Sequence, residues 1–393
     1  MNFEIALKKS LEAVEIRDKI SIVPLEEALG KVVAKDIVCQ KNLPSFNNAA
    51  LDGFAFSYKE GLKTLKIKKT IFAGDNVVPS LVENECYKIM TGAKVPDDAD
   101  TILAFEDALF FDENEVKMPA KIKKGNAFRF KGEEQKKGSV LIKKGEILSP
   151  SFIAMLAAQG ITHLPICADL LVVIVSTGDE LKEPWEESSE DEIYNCNGYA
   201  IKAILESYGF KANYAGVIPD DKDSSREFIG RLKDYDFIIT SGGISMGEAD
   251  FIKDSFTFHG LKEIFHGVNL KPGRPTMVGK IGKSSVISLP GNPMAAYLNT
   301  ILFAIPALFK ALGVEKGVNK KFKALNKKAF KCKGGRTELV LGWYEDGFFH
   351  VTRDNRYGSG MLTPLLESNA LFISKEDESL IEEEKEIEII LLP

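Results

Sequence analysis

The stretch Leu171-Val172-Val173-Ile174-Val175-Ser176-Thr177-Gly178 decides the fold of this chain, because an unbroken apolar run leads directly into a glycine turn. A strand that is apolar at every position is buried on both faces, which is typical of a parallel sheet covered by helices on both sides. The patterns that follow alternate between helix and strand, at 198–208, 212–218, 224–232, 237–239 and 286–289. This alternation predicts a doubly wound α/β domain over residues 170–312, with right-handed crossovers.

The segments on either side of this domain have a different pattern. Residues 46–138 contain short strand patterns broken by Gly, Pro and Asp, which predict a β-rich inserted domain. Residues 1–45 begin with an amphipathic helix pattern and are expected to pack with 139–169. Residues 313–393 return to short strands and predict a C-terminal β-barrel-like domain. The expected fold class is therefore α/β plus β.

Composition limits the classes of function. The 393 residues include 51 Lys and Arg against 57 Asp and Glu, a net charge of −6, and 45% are hydrophobic. This balance argues against a protein that a general positive field holds to nucleic acid. Five scattered cysteines without a CxxC pair indicate a reducing cytoplasm. The apolar run 294–309 is shorter than the roughly 20 residues of a membrane span, so we expect a buried helix and no membrane partner.

Ligands of parallel α/β sheets bind at the carboxyl ends of the strands, so the turns after the predicted strands hold the first candidate residues. These turns are Thr177-Gly178-Asp179-Glu180, Pro219-Asp220-Asp221, Ser241-Gly242-Gly243-Ile244-Ser245-Met246-Gly247-Glu248-Ala249-Asp250, and Pro290-Gly291-Asn292-Pro293. The glycines let backbone N–H groups approach an anion, although the spacing is neither GxGxxG nor that of a P-loop. A tight turn explains the third stretch equally well, and an N-cap explains the fourth.

The carboxylates in these turns are a second set of candidates. They offer hard oxygen ligands without His or Cys, which suits Mg²⁺ better than Zn²⁺. For any one carboxylate, a helix cap or a solvated turn is the simpler explanation. The four histidines form no spaced pair, so neither a histidine metal site nor a Ser-His-Asp triad is expected.

Three further turns carry polar side chains. Lys271-Pro272-Gly273-Arg274-Pro275 combines two cations with rigid turns and could clamp an oxyanion, although a surface turn explains it as well. Ala50-Leu51-Asp52-Gly53-Phe54-Ala55 and Ile89-Met90-Thr91-Gly92-Ala93 each place one polar side chain in an apolar stretch. From composition alone, ordinary turn residues explain both.

Seven motifs nevertheless occur in the order of a known family. They are Pro44-Ser45-Phe46 with Leu51-Asp52-Gly53-Phe54-Ala55, Thr91-Gly92-Ala93 with Pro96, Ala99 and Asp100, Gly132-Glu133-Glu134, Ser176-Thr177-Gly178-Asp179-Glu180-Leu181, Ser241-Gly242-Gly243 with Ser245, Gly247 and Asp250, Pro272-Gly273-Arg274-Pro275, and Leu289-Pro290-Gly291-Asn292-Pro293. Together they resemble the molybdopterin molybdenumtransferases, the MoeA family that includes the E domain of gephyrin. The resemblance covers nearly the whole chain.

The resemblance implies an enzyme of molybdenum cofactor biosynthesis. Such an enzyme takes adenylylated molybdopterin and molybdate, and it releases AMP with the help of Mg²⁺. The resemblance also implies a homodimer whose cleft lies between the α/β domain of one subunit and the β-rich domain of the other. Molybdopterin adenylyltransferase and recipient molybdoenzymes would be further partners.

Matching positions become candidate site residues. The resemblance implies catalytic roles for Asp52, Thr91, Glu180, Asp250 and Lys271, with Glu180 and Asp250 as metal ligands. It implies substrate-binding roles for Glu134, Asp179, Asp220, Asp221, Ser241, Gly242, Gly243, Ser245, Gly247, Arg274, Pro290, Gly291, Asn292 and Pro293.

Some positions depart from the family pattern. Ala49 stands where many relatives have Ser, and Leu51 replaces Met. Glu134 occupies a place where Asp is frequent, and Leu341 stands where a second Arg is expected, which argues against an anion contact from the last domain. Two alternatives remain open. One is a molybdopterin adenylyltransferase, which is typically a compact single domain, and the other is a non-catalytic scaffold of the same fold.

Overall fold

The computed structural model of this chain describes residues 1–75, 79–219, 221–243, 251–315 and 318–393. Four candidate residues, Asp220, Ser245, Gly247 and Asp250, lie outside these described residues. The other candidates can be placed in the fold.

A six-stranded central sheet organises the α/β region. Its strands, in spatial order, are Asn213–Ile218, Val172–Thr177, Phe237–Ser241, Ser284–Leu289, Met277–Ile281 and Lys262–His266. The first four are parallel, as the sequence predicts. The fifth strand is antiparallel to both of its neighbours. Its link to the fourth strand is only Gly282-Lys283, which permits a hairpin but is too short for a crossover helix.

Helices cover both faces of the central sheet. Because side chains alternate along a strand, Val172 and Ile174 enter one hydrophobic cluster and Val173 and Val175 enter another. The first cluster includes residues of the helices Asn197–Ser207, Pro293–Asn299 and Ile305–Ala311, and the second includes residues of Lys222–Gly230 and Phe251–Phe258. The unbroken apolar run therefore has the two-sided burial that its composition predicts.

The helical segment Pro293–Ala311 belongs to this core. Thr300–Ala304 forms a π-helical stretch between its two α-helical parts. In the described part of the chain it is the one helix long and apolar enough to cross a membrane, yet 89% of its most apolar window is buried inside the fold. The structure confirms the predicted buried helix.

The β-rich segment contains a second six-stranded sheet, the insert sheet. In spatial order its strands are Thr101–Ala104, Gly53–Phe56, Glu85–Ile89, Thr64–Ile71, Glu115–Lys117 and Phe110–Phe111. Two hydrophobic clusters stabilise it, and every residue in them lies between 49 and 128. A Cβ at Gly53 would lie 2.1 Å from the carbonyl oxygen of Leu103, so the close approach of two strands requires glycine there.

Short sheets join the start of the chain to the segment after the insert. Helix Phe3–Glu12 packs into the main cluster of the α/β region. Strand Ile20–Pro24 pairs with His163–Cys167, and Ile37–Val38 pairs with Val140–Ile142. The helix Pro150–Ala158 lies between the strands Val140–Ile142 and His163–Cys167. The domain boundaries given above remain a prediction.

The C-terminal region forms a closed five-stranded barrel. Around the barrel the strands are Thr337–Glu345, Phe348–Val351, Lys321–Asn326, Glu386–Leu391 and Ala370–Ile373, which pairs again with the first. Strand Leu270–Lys271 of the α/β region joins the edge of Thr337–Glu345 in parallel. On the outer surface of the barrel, the neighbouring strands Lys321–Asn326 and Glu386–Leu391 are joined by the exposed ion pairs Lys321–Glu388 and Lys323–Glu386.

Shorter elements complete the described structure. The remaining strand pairs are Asn48–Ala49 with Phe128–Arg129, Leu181–Lys182 with Ile193–Tyr194, and Phe330–Lys331 with Leu380–Ile381. The remaining helix is Thr363–Leu366, and 3-10 turns lie at Leu25–Glu27, Phe105–Asp107 and Thr352–Asn355.

Candidate functional site

The glycine turn after Phe237–Ser241 lies against the end of the neighbouring strand. Gly242 and Gly243 have φ values of 87° and 65°, which glycine adopts without strain. A Cβ at Gly242 would lie 2.6 Å from Oγ1 and 2.8 Å from the carbonyl oxygen of Thr177. Glycine is therefore required at 242 and 243 by both the backbone conformation and the close packing.

The Pro290–Pro293 turn lies beside the glycine turn. The backbone N–H of Gly242 donates to the carbonyl of Leu289 at 3.0 Å, and a Cβ at Gly291 would lie 3.6 Å from the Cα of Gly242. Asn292 occupies the N-cap position of helix Pro293–Asn299, but its exposed side chain makes no capping bond. The two turns that the sequence nominated separately thus form one surface at the carboxyl ends of the strands.

Asn197, at the start of helix Asn197–Ser207, connects these two turns. Its Nδ2 donates to Oγ of Ser241 at 2.8 Å and to the carbonyl oxygen of Gly291 at 2.7 Å. Ser241 is 2% exposed and also reaches the carbonyl of Pro290 at 3.5 Å. The turns are therefore connected through a residue that belongs to neither of them.

Three described carboxylates lie at this end of the sheet. Asp179 and Glu180 are exposed, and the Glu180 carboxylate folds over Gly178, where a Cβ would lie 2.6 Å from Oε2. Asp221 caps helix Lys222–Gly230 by accepting from the backbone N–H of Ser224 at 2.9 Å. That bond lowers the pKa of Asp221. Within the described ranges, no three or more His, Cys, Asp and Glu side chains gather as a metal cluster.

The two cations of the Lys271–Pro275 turn have different surroundings. Nζ of Lys271 forms an ion pair of 2.5 Å with Glu338 of the barrel, which is 5% exposed at its side chain. Arg274 is exposed and lines a cavity of about 460 Å³, which Arg336 and Glu376 line as well. The charge of Lys271 is thus partly neutralised, whereas Arg274 faces open space.

The insert carries a second group of candidates, the insert patch, formed by Asp52 and Thr91. The hydroxyl and the backbone N–H of Thr91 both donate to Oδ1 of Asp52 at 2.6 Å. Glu134 is exposed, and its backbone N–H donates to the carbonyl of Leu43. Ala49 connects the stretch after Thr91 to the strand Phe128–Arg129, because it exchanges backbone hydrogen bonds with Gly92 and Ala93 and pairs with Phe128.

Hydrogen bonds from Thr91 lower the pKa of Asp52, the hydroxyl contributing first and the backbone N–H second. Thr91→Val is expected to raise that pKa toward its ordinary value without fully restoring it, because the backbone donor remains. In both proteins the lowered pKa favours folding above the ordinary carboxyl pKa, and this contribution is lost as the pH falls through the folded-state pKa. The substitution should therefore reduce the pH range, between the folded-state pKa and the ordinary carboxyl pKa, over which this contribution is lost.

Carboxyl carbon NMR titration of the two proteins measures this shift. Asp112 is the internal control, because backbone N–H groups of Asn114 and Glu115 lower its pKa and Thr91 does not contact it. An unchanged Asp52 titration in Thr91→Val would contradict the assigned cause.

The candidates form two groups rather than one. The strand-end turns lie on the central sheet, whereas Asp52 and Thr91 flank strands whose hydrophobic clusters contain only insert residues. The structure brings Ser241, Gly242 and Gly291 together. It brings Asp52 and Thr91 together elsewhere, on the insert.

Sequence reasoning missed several residues near the strand ends. Glu183 accepts from the hydroxyls of Tyr214 and Tyr199 at 2.5 and 2.9 Å, and Asn195 donates to the hydroxyl of Tyr214. Desolvation and the Glu183 carboxylate raise the pKa of Tyr199 to about 12. The pair of asparagines at 195 and 197, just before the predicted helix 198–208, was a local signal that could have been used. Glu338 had no such signal, because 67 residues separate it from Lys271.

Three regions of the chain match known protein families. Residues 1–160 match the MoeA N-terminal region (domain I and II), residues 173–310 match a probable molybdopterin binding domain, and residues 323–392 match the MoeA C-terminal region (domain IV).

Relatives match across most of the chain. A molybdopterin molybdenumtransferase of Haemophilus influenzae is 30% identical over 379 residues, which cover 95% of this chain and 94% of that protein. One from Staphylococcus aureus is 30% identical over 295 residues, covering 73% and 70%. The crystal structure of the molybdopterin biosynthesis MoeA protein from Pyrococcus horikoshii covers both chains completely, with a TM-score of 0.88 and 29% identity. With its strand-end turns, its insert and its barrel, this chain belongs to the MoeA family of molybdenum cofactor biosynthesis.

Proposed function

We propose that this protein inserts molybdenum from molybdate into adenylylated molybdopterin and releases AMP. The observation that carries the proposal is the pair of adjoining turns, Ser241–Gly243 and Pro290–Gly291, at the carboxyl ends of the strands. Backbone N–H groups in such turns can approach phosphate oxygens closely, and this edge of an α/β sheet is where nucleotides bind. A relative that matches over 94% of its own length and is named molybdopterin molybdenumtransferase supports the same reaction.

Binding and orientation are the work of this chain's own residues. The glycine turn would hold the phosphates that join AMP to molybdopterin, so that the P–O bond to be cleaved is fixed in one position. Arg274 is the better anion contact of the cationic turn, because Glu338 does not neutralise it as it does Lys271. We infer that Arg274 attracts molybdate, which is itself a dianion. Lys271 then serves to orient the turn that carries Arg274.

The donor chemistry at the strand ends fits Mg²⁺. Protein sites for this ion use one or two carboxylates and complete the shell with water and substrate phosphate. Asp179 and Glu180 are exposed carboxylates at the correct edge, and Asp250 is a further expected ligand outside the described residues. When bound, Mg²⁺ would neutralise charge that develops on the phosphate oxygens. Asp221 is a weaker candidate, because one of its oxygens already caps a helix.

We further propose that the enzyme is a cytoplasmic homodimer whose second copy completes each site. Asp52 and Thr91 belong to an insert with its own hydrophobic clusters. The strand-end turns of the same subunit lie on a different cluster, that of the α/β region. The family resemblance implies that the insert patch of one subunit faces the strand ends of the other. Molybdopterin adenylyltransferase would supply the substrate, and molybdoenzymes would receive the product.

Two incubations of the purified protein test the reaction. With adenylylated molybdopterin, molybdate and Mg²⁺, we expect AMP release that depends on molybdate. With ATP and molybdopterin, we expect no net adenylyl transfer. Adenylyl transfer in the second incubation would instead favour an adenylyltransferase, and inactivity in both would favour a scaffold.

A further inference from the structure

Asn197 has a geometry that no function stated so far explains. Its amide nitrogen meets two acceptors, Oγ of Ser241 and the carbonyl oxygen of Gly291, at 2.8 and 2.7 Å. The amide oxygen faces the other way and accepts from the thiol of Cys196 at 3.6 Å. An amide NH₂ group carries two donors, so both bonds to the turns can form at once. This arrangement also fixes the orientation of the amide.

Among the described residues, backbone hydrogen bonds hold the two turns together only as far as Leu289. The sheet ladder aligns Ser241 with Leu289, and the backbone N–H of Gly242 donates to the carbonyl of Leu289 at 3.0 Å, but the chain leaves the sheet at Pro290. Beyond that point, in the part of the chain that the structure describes, the hydrogen bonds between the two turns are side-chain bonds made by Ser241 and by Asn197. The bond from Ser241 to Pro290 is 3.5 Å long, so the two shorter bonds of Asn197 constrain the turns more strongly.

We propose that Asn197 is a positioning residue that sets the separation between the glycine turn and the Pro290–Pro293 turn. It acts through Ser241 and Gly291 and does not itself touch the substrate. The inference rests on the proposed function, because the two turns are the surface that would hold the AMP phosphate. A change at Asn197 should therefore alter the affinity for AMP more than the stability of the fold.

Asn197→Asp is the sharpest substitution. It preserves the size of the side chain, but an ionised carboxylate cannot donate and would face two acceptor oxygens. We expect AMP with Mg²⁺ to bind about 10-fold more weakly, by analogy with the low end of the loss caused by removing an outer-shell partner of a metal ligand. As the pH falls and the carboxyl group is protonated, one donor returns and part of the affinity should be recovered. Asn197→Ala should lose the affinity at every pH.

Isothermal titration calorimetry with AMP, together with thermal unfolding, measures both effects in the full chain. Asn213→Asp is the matched control, because Asn213 is exposed and its Nδ2 donates to the hydroxyl of Tyr235, which belongs to neither turn. This control should bind AMP as the wild type does.

A double-mutant cycle distinguishes positioning from other roles. If Asn197 acts through Ser241, the losses from Asn197→Ala and Ser241→Ala should be less than additive. Additive losses, or unchanged AMP affinity in a folded Asn197→Asp protein, would overturn the positioning role of Asn197 and leave the proposed function standing. Wild-type protein that fails to bind AMP would overturn the proposed function and this inference with it.

Discussion

Glu180→Ala is expected to reduce AMP release from adenylylated molybdopterin by at least about 100-fold while leaving the fold intact. The carboxylate is exposed at the end of the strand Val172–Thr177 and is our principal Mg²⁺ contact, and losing even an outer-shell partner of a metal ligand costs roughly 10–100-fold. Stability should change little, because an exposed side chain that folds over a glycine contributes little packing.

A Mg²⁺ titration of AMP release, with circular dichroism to verify folding, measures this loss. Glu187→Ala is the matched control. Glu187 is another exposed glutamate in the segment that connects the strand Val172–Thr177 to the helix Asn197–Ser207, and it has no assigned role. The variant should also require more Mg²⁺ for half-maximal rate. Near-normal release by a folded Glu180→Ala protein would refute the metal role.

Mixed dimers that pair an Asp52→Asn subunit with a Glu180→Ala subunit should recover about half of the wild-type activity, although neither variant homodimer is active. If each site combines the insert patch of one subunit with the strand ends of the other, both lesions fall in one site and the second site is intact. Co-expression with two different affinity tags isolates the mixed dimers, and AMP release per dimer is the measurement.

The reverse arrangement is a matched control with the opposite expectation. A wild-type subunit paired with an Asp52→Asn/Glu180→Ala subunit places one lesion in each shared site and should be inactive. Should this dimer keep half of the activity while the first is inactive, each site would lie within a single subunit. A monomeric protein in solution would contradict the proposal as well.

The α/β region could be predicted from the sequence in most respects. Continuous apolar runs are typical of strands buried on both faces, and the strand Val172–Thr177 has that burial. The sequence indicates a strand after Pro275, but the antiparallel direction of Met277–Ile281 was not predicted, because that direction depends on the length of the following turn rather than on the strand's own residues.

The candidate site was predicted in part. The glycine and proline turns were found because backbone conformation restricts the residue types, and the structure places them together. The partner of Lys271 could not be predicted, because Glu338 reaches it only through the docking of the barrel. The connection made by Asn197 depends equally on tertiary packing.

The hydrophobic clusters determine which parts of this protein can be exchanged between relatives. The barrel residues Leu339, Leu341, Leu371 and Ile390 share one cluster with the α/β region, and the barrel also takes strand Leu270–Lys271 onto its edge. In a chimera joined near residue 312, the barrel of one relative would have to pack against the α/β region of another within a single hydrophobic core. The insert has clusters of its own, so grafting residues 46–138 from a relative requires compatible chain ends and little repacking. The insert is therefore the natural unit of transplantation in this enzyme, and the barrel is not.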